Sequence, residues 1–187
     1  MRNHISEYLC GVQSLLDKIP SSQVQQIVDI LMAARVNCHS IFLCGNGGSA
    51  ATASHWANDL CKGAISDKLP RVRALALTDN IPLITAWAND VAYENIFASQ
   101  LANFVQPLDV LIAISGSGNS RNVLNAVRYA RREGALTIGL TGFDGGHLKE
   151  IADVCLIVPS NSMEQVEDIH LILSHSISTA LRQSAEG

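Results

Sequence analysis

Charged and aromatic side chains are both scarce in this chain of 187 residues. Charged residues make up 16% of it and aromatic residues 5%, whereas 48% of its residues are hydrophobic. This composition excludes an intrinsically disordered protein, which would be rich in charge and poor in apolar residues. The formal net charge of −4 provides no general basic field, so we expect no nucleic-acid partner.

Long hydrophobic runs and paired cysteines are missing as well. No apolar stretch reaches the roughly 20 residues that a membrane-spanning helix needs, and the first residues show no signal-peptide core. We therefore expect a cytoplasmic protein that makes no membrane contact. The five cysteines are scattered, odd in number and form no C-x-x-C motif. This pattern predicts reduced and mostly buried thiols.

Strand-like and helix-like segments alternate along the chain. Five short apolar runs begin near residues 41, 72, 109, 136 and 154, and segments with helical spacing separate and follow them. Two more helical segments precede the first strand. Because the strands are apolar on both faces, the pattern predicts an α/β fold with a parallel sheet. We expect one domain over 1–187, with oligomerisation helices in 1–37 and the α/β core in 38–187.

Two loops rich in glycine and serine follow the first and third strands. The first is Gly45–Ser49 and the second is Ser115–Ser120, and each opens a helix. In an open α/β sheet, ligands bind beyond the carboxyl ends of the strands. Backbone N–H groups at a helix start, together with several hydroxyls, form an anion site without a lysine. The two loops therefore predict a phosphorylated ligand, although each loop alone fits a plain helix cap equally well.

Histidines and carboxylates recur at helical spacing in two places. His55 and Asp59 are four residues apart, so they share one face of the helix that begins at the first loop. His175 lies eight residues after Glu167 and seven after Asp168, and this spacing does not choose between the two carboxylates. Such a set suits a divalent metal, zinc among them, or proton transfer. A structural polar role is the alternative for every histidine, and we keep it for His4, His39, His147 and His170.

In their order and spacing, these motifs resemble the sugar isomerase (SIS) domain over nearly the whole chain. The resemblance rests on Cys44–Ser49, His55, Asn89–Asp90, Ile114–Ser120, Glu167–His170 and His175. Within that family the chain resembles the sedoheptulose-7-phosphate isomerases, also called phosphoheptose isomerases. This implies a three-layer α/β/α sandwich with a five-stranded parallel sheet, and a homotetramer with sites between subunits. It also implies conversion of D-sedoheptulose 7-phosphate to D-glycero-D-manno-heptose 7-phosphate through an enediol, usually with zinc bound.

The resemblance assigns roles to individual residues. The implied metal ligands are His55, Asp59, Glu167 and His175, and Asp59 with His175 forms the implied acid/base pair. The implied substrate contacts are Asn46, Gly47, Gly48, Ser49, Asp59, Asn89, Asp90, Ser115, Gly116, Ser117, Ser120 and Glu167. Isomerisation moves a proton between C1 and C2, so an acid/base pair and a metal or acid that polarises the oxygens are both useful.

Four positions depart from the usual pattern of that family. Asp59 stands where the family usually has Glu, and Glu167 stands where it usually has Gln. Gly116 replaces a common Thr, and a sugar-contacting Arg is absent near Lys62–Gly63. The additional carboxylate of Glu167 should favour a metal, whereas the shorter side chain of Asp59 changes the geometry of the base.

Two other functions are alternatives at this point. A non-catalytic relative in the family bridges a replication initiator protein, but it lacks the histidine that matches His175. A nicotinamide-dependent oxidoreductase is the second alternative, because Gly45–Ala50 fits the pattern G-x-G-x-x-A. Against it, no acidic residue closes the second strand at the expected distance, since Asp79 lies too far along the chain.

Overall fold

The computed structural model describes residues 3–184, in which helices and strands alternate. Its α-helices are α1 His4–Leu16, α2 Ser21–Val36, α3 Gly48–Asn58, α4 Ile81–Asp90, α5 Ile96–Leu101, α6 Arg121–Arg132, α7 Leu148–Ile151 and α8 Met163–Gln183. Its strands are β1 Ser40–Cys44, β2 Arg73–Ala76, β3 Val110–Ile114, β4 Leu136–Thr141 and β5 Val154–Ile157. A π-helical segment, Asp59–Gly63, continues α3, and a 3-10 turn, Tyr93–Asn95, precedes α5.

The strands form one parallel sheet in the order β2-β1-β3-β4-β5. The register places Leu43 of β1 between Ala76 of β2 and Ile112 of β3. The predicted five-stranded parallel sheet is therefore confirmed. The strand order reverses between β1 and β3, and ligands bind at such a switch point in open α/β sheets. The order also differs from the 3-2-1-4-5-6 order of dinucleotide-binding domains, which counts against the nicotinamide alternative.

Helices cover both faces of the sheet. Successive residues of a strand point to opposite faces, so neighbouring strand residues pack against different helix layers. On one face Leu43 packs in an apolar cluster with Trp56 of α3 and Ile177 of α8, all fully buried. On the other face Phe42 belongs to a second cluster with Phe97 of α5 and Val127 of α6. These two layers of helices confirm the three-layer α/β/α sandwich. They also place α3 and α8 side by side on the same face of the sheet.

Helix α1 lies outside this sandwich and contacts α8. The Tyr8 hydroxyl donates a hydrogen bond of 2.6 Å to the Asp168 carboxylate, and this bond raises the pKa of Tyr8 to about 12. Two apolar side chains of α1, Ile5 and Leu9, are exposed, at 74% and 61%. Nowhere in residues 3–184 is a helix both long and apolar enough to span a membrane.

The cysteines are all free, and their exposure differs from the prediction. Burial raises the pKa of the Cys44 thiol to about 12 and that of Cys155 to about 11. The prediction of mostly buried thiols is wrong, because Cys10, Cys38 and Cys61 are exposed. They lie on α1, in the turn after α2 and in the π-helical segment, at positions that the core does not cover.

Candidate active site

The glycine loop, Gly45–Gly48, carries the chain from the carboxyl end of β1 into α3. At Gly48, a side chain would overlap the Glu167 carboxylate, which lies directly against this position. The glycine therefore allows α8 to bring an acidic group onto the first turn of α3. Since β1 and β3 are neighbours, the loop that follows β3 lies beside it.

The serine loop, Ser115–Ser120, joins β3 to α6, and residues at the end of β4 form hydrogen bonds with its backbone. The backbone carbonyl of Gly116 accepts hydrogen bonds from the Gly142 N–H at 2.8 Å and from the Thr141 hydroxyl at 3.2 Å. Within the loop, the Ser115 hydroxyl donates to that of Ser120 at 3.1 Å. The loop is thus fixed by its backbone, and its serine side chains border the space in front of it.

A cavity of about 240 Å³ lies between the two loops. Its lining includes every implied substrate contact except Asp59, Asn89 and Asp90: Asn46, Gly47, Gly48, Ser49, Ser115, Gly116, Ser117, Ser120 and Glu167. Ile114 and Met163 complete the wall. A side chain on Gly116 would collide with the Met163 sulfur, so the departure at this position is matched by the methionine that faces it.

A cluster of two imidazoles and a carboxylate lies where α3 passes α8. The Nε2 atoms of His55 and His175 are 2.8 Å apart, and their rings meet edge to face at 80°. Asp59 Oδ2 lies 3.4 Å from Nε2 of His55 and 3.6 Å from Nε2 of His175. The short contact between the imidazoles requires one ring to donate a proton and the other to accept it. The cluster can therefore hold and transfer a proton.

Asp59 lies at the junction of two helical segments, because it is the C-cap residue of α3 and the first residue of the π-helical segment. The wider turn is closed by a hydrogen bond of 2.9 Å from the Ala64 N–H to the Asp59 carbonyl. Segments of this kind occur often at functional sites. Here the segment begins at the carboxylate that faces both histidines, which lie 120 residues apart in the chain.

Glu167 lies at the cavity and is absent from the His55–Asp59–His175 cluster. It precedes His175 by eight residues, which advance an α-helix by about 12 Å. That separation places its carboxylate at Gly48 instead of beside the imidazoles. Of the four implied metal ligands, the structure brings three together within this chain.

Asn89 and Asp90 also lie away from the cavity lining. They form the last turn of α4, where the Asn89 amide donates to the Asp90 carboxylate at 2.7 Å. Both side chains are exposed. Helix α4 follows β2, an edge strand on the far side of β1 from the serine loop, so the chain's own topology keeps this pair apart from that loop.

Two residues that border the glycine loop were not predicted to have a role. Asn122, on α6, is 2% exposed and exchanges hydrogen bonds with the Asn46 side chain. The Tyr93 hydroxyl donates to the same Asn46 side chain at 2.9 Å. The sequence contains one sign that Asn122 is buried. It stands four residues before Ala126, on the apolar face of an amphipathic helix. For Tyr93 no spacing points to the loop.

His170, for which a structural role was preferred, lies fully buried on α8. Its Nε2 atom is 3.3 Å from the Thr141 carbonyl oxygen, and its Nδ1 atom has no hydrogen-bond partner among the described residues. Burial lowers the pKa of this imidazole to about 4, although the contact with Thr141 acts in the opposite direction. The ring is therefore neutral near pH 7.

Comparison with known proteins agrees with this architecture. A family model described as the SIS domain matches residues 7–142. The phosphoheptose isomerase of Akkermansia muciniphila is 34% identical over the full length of both chains. That of Aliarcobacter butzleri is 38% identical over 175 residues, which are 92% of each chain.

Solved structures give the same result. Phosphoheptose isomerase GmhA from Neisseria gonorrhoeae superposes with a TM-score of 0.87 at 32% identity, covering 96% of this chain and 95% of that one. A phosphoheptose isomerase from Francisella tularensis gives a TM-score of 0.90 at 28% identity, with 97% of each chain covered. The chain therefore belongs to the SIS domain family and, within it, to the phosphoheptose isomerases.

Proposed function

We propose that this protein isomerises D-sedoheptulose 7-phosphate to D-glycero-D-manno-heptose 7-phosphate. The observation that carries the proposal is the meeting of His55, Asp59 and His175 where α3 meets α8, the two helices that also border the cavity lined by the serine loop. An aldose–ketose isomerase needs an anion site for the phosphate and an acid/base pair for the carbon chain. The names of the relatives support the same activity.

The serine loop binds the phosphate in this proposal. Hydroxyls of Ser115, Ser117 and Ser120 and the first N–H groups of α6 supply hydrogen-bond donors there. Glu167 borders the same cavity, and its negative charge repels a phosphate. The phosphate therefore binds at the serine loop, while Glu167 accepts hydrogen bonds from sugar hydroxyls.

Asp59 and His175 transfer the protons. A base of this pair removes a proton from C1 of the ketose while an acid protonates the C2 oxygen, which forms the enediol. The proton on the C1 oxygen then leaves and C2 gains a proton, so the aldose forms with no net gain or loss of atoms. The two side chains suit this exchange, since Asp59 Oδ2 and His175 Nε2 are 3.6 Å apart.

The cluster also fits a zinc ion. At zinc–ligand distances of about 2.0–2.1 Å, neighbouring ligand atoms of a tetrahedral site lie about 3.4 Å apart. Asp59 Oδ2 lies 3.4 and 3.6 Å from the two imidazole nitrogens, and the 2.8 Å between those nitrogens requires only a small spread. His55, Asp59 and His175 would hold the ion. Bound there, a zinc ion would supply Lewis-acid polarisation of the sugar oxygens.

We also propose a homotetramer of a single domain, in which residues 1–37 form the oligomerisation helices and sites lie between subunits. Three observations support this. Ile5 and Leu9 expose an apolar face of α1. The cavity, about 240 Å³, falls below the roughly 300–1,000 Å³ of complete small-molecule sites. Asn89 and Asp90 are exposed and lie away from this chain's cavity, so in a shared site they would contact a substrate bound to a neighbouring copy.

Incubation of the purified protein with sedoheptulose 7-phosphate, with the products followed by NMR, tests the activity. We expect the aldose phosphate from the wild-type protein and none from His175→Gln. His39→Gln is a matched control, because His39 lies at the amino edge of the sheet next to Asp109, and we expect it to retain turnover. Absence of product from the wild type, with zinc added or removed, would refute the proposal and favour a regulatory protein.

A further inference from the structure

Asn122 lies where the glycine loop meets the helix that follows the serine loop. Its side-chain Nδ2 donates to Asn46 Oδ1 at 2.8 Å, and Asn46 Nδ2 donates to Asn122 Oδ1 at 2.8 Å. The two amides thus form a reciprocal pair. Since Asn46 follows β1 and Asn122 follows β3, this pair joins the two sides of the switch point in the sheet.

The backbone determines which way the two amides face. The Val123 N–H donates to Asn122 Oδ1 at 3.0 Å, so that atom must be the carbonyl oxygen. The other terminal atom of Asn122 is then a nitrogen, which can only donate. Asn46 must therefore present its own oxygen to it, and the Tyr93 hydroxyl donates to the same oxygen at 2.9 Å.

Counting donors and acceptors leaves Asn46 with one unused group. Its oxygen has two lone pairs, which Asn122 and Tyr93 occupy. Its nitrogen has two protons, of which one binds Asn122. The remaining N–H belongs to a residue that lines the cavity between the loops. The loop therefore offers a ligand a donor at this position and no acceptor.

We propose that Asn122 is a positioning residue, which holds Asn46 so that its free N–H donates to an oxygen of the bound sugar phosphate. This inference rests on the proposed isomerase function. Asn122 is 2% exposed and acts through Asn46. Without Asn122, the Asn46 amide could rotate and turn its oxygen toward the ligand. That oxygen would repel the ligand oxygen that the Asn46 N–H otherwise binds.

Steady-state kinetics on four proteins test the inference: wild type, Asn46→Ala, Asn122→Ala and the double variant. Each single change should raise KM for sedoheptulose 7-phosphate about tenfold, the equivalent of one hydrogen bond of about 1.4 kcal/mol, with little change in kcat. The double variant should resemble Asn46→Ala, because Asn122 has no other route to the ligand. If the two increases in KM multiply in the double variant, or if only kcat falls, the inference is overturned.

Thr137→Val is the matched control for a general loss of stability. Thr137 is 1% exposed, and its hydroxyl donates to Asp153 at 2.7 Å near the start of β4, far from the loops. This variant also loses a buried hydrogen bond, so its melting temperature should fall while KM stays unchanged. A rise in KM equal to that of Asn122→Ala would show that destabilisation explains both, and the positioning role would fail.

A crystal structure of ligand-free Asn122→Ala gives a readout that does not depend on turnover. We expect the Asn46 side chain to leave its wild-type orientation while the backbone of both loops is retained. An unchanged Asn46 would overturn the inference even if the wild type is active. Conversely, a wild type without isomerase activity would refute the proposed function, and the displaced side chain would still establish what Asn122 positions.

Discussion

Replacing His170 by glutamine should make the fold less sensitive to mild acid. In the folded protein this imidazole is fully buried, and burial lowers its pKa to about 4 from the ordinary 6.5. Above pH 6.5 the ring is neutral in both the folded and the unfolded chain, so it contributes no pH dependence. Between pH 6.5 and 4 the unfolded chain binds a proton that the folded chain excludes, so the free energy of unfolding falls as the pH falls.

The size of this effect follows from the difference between the two pKa values. Each pKa unit corresponds to about 1.4 kcal/mol, so the stability lost through His170 should reach about 3 kcal/mol near pH 4 and then level off. That is a large share of the roughly 5–15 kcal/mol that stabilises an ordinary domain. Glutamine carries no titratable proton in this range, so the variant should lack this part of the pH dependence.

Urea unfolding at a series of pH values from 7.5 to 4, at one fixed protein concentration, measures the effect. The useful quantity is the difference in slope between wild type and His170→Gln, because carboxylates contribute equally to both. Ile177→Val, one of the buried positions further along α8, controls for simple destabilisation and should keep the wild-type slope. Equal slopes in wild type and His170→Gln would refute the reasoning.

Four further predictions concern the site and the assembly. His175→Gln should lower turnover by at least about 10²-fold without changing the circular dichroism spectrum, and retained turnover would contradict its role. Ser117→Ala combined with Ser120→Ala should weaken sugar-phosphate binding by about 1–3 kcal/mol in calorimetry, and unchanged affinity would move the phosphate site. Gly116→Thr should weaken that binding because it displaces Met163. Adding Met163→Ala should restore it, and no recovery would argue against the overlap. Sedimentation at micromolar concentration should give a tetramer, whereas a monomer would rule out a shared site.

Much of the fold could be predicted from local patterns. An apolar run that breaks into a glycine- or serine-rich loop and then into a helical segment is a local signal, and it located both Gly45–Ser49 and Ser115–Ser120. The spacing of His55 and Asp59 likewise determines that they share one face of a helix. These features depend on neighbours within a few residues, which is the range over which periodicity is informative.

The rest of the candidate site depends on contacts between distant segments. No spacing could bring His175 beside His55, and only the resemblance to a known family suggested that they meet. The same limit explains why Glu167 was grouped with the histidines, whereas its carboxylate lies at Gly48. It also explains the omission of Asn122, whose partner lies 76 residues earlier in the chain.

The position of α8 at the end of the described chain has a consequence for synthesis on the ribosome. All five strands precede this helix, so the sheet can begin to assemble before α8 has emerged. Until then Trp56 and its apolar neighbours lack the cover that α8 gives them, and the nascent chain exposes a hydrophobic surface. The imidazole pair also forms last, because its second member follows the first by 120 residues. The imidazole pair and the cover of this apolar surface should therefore be acquired together, when α8 docks.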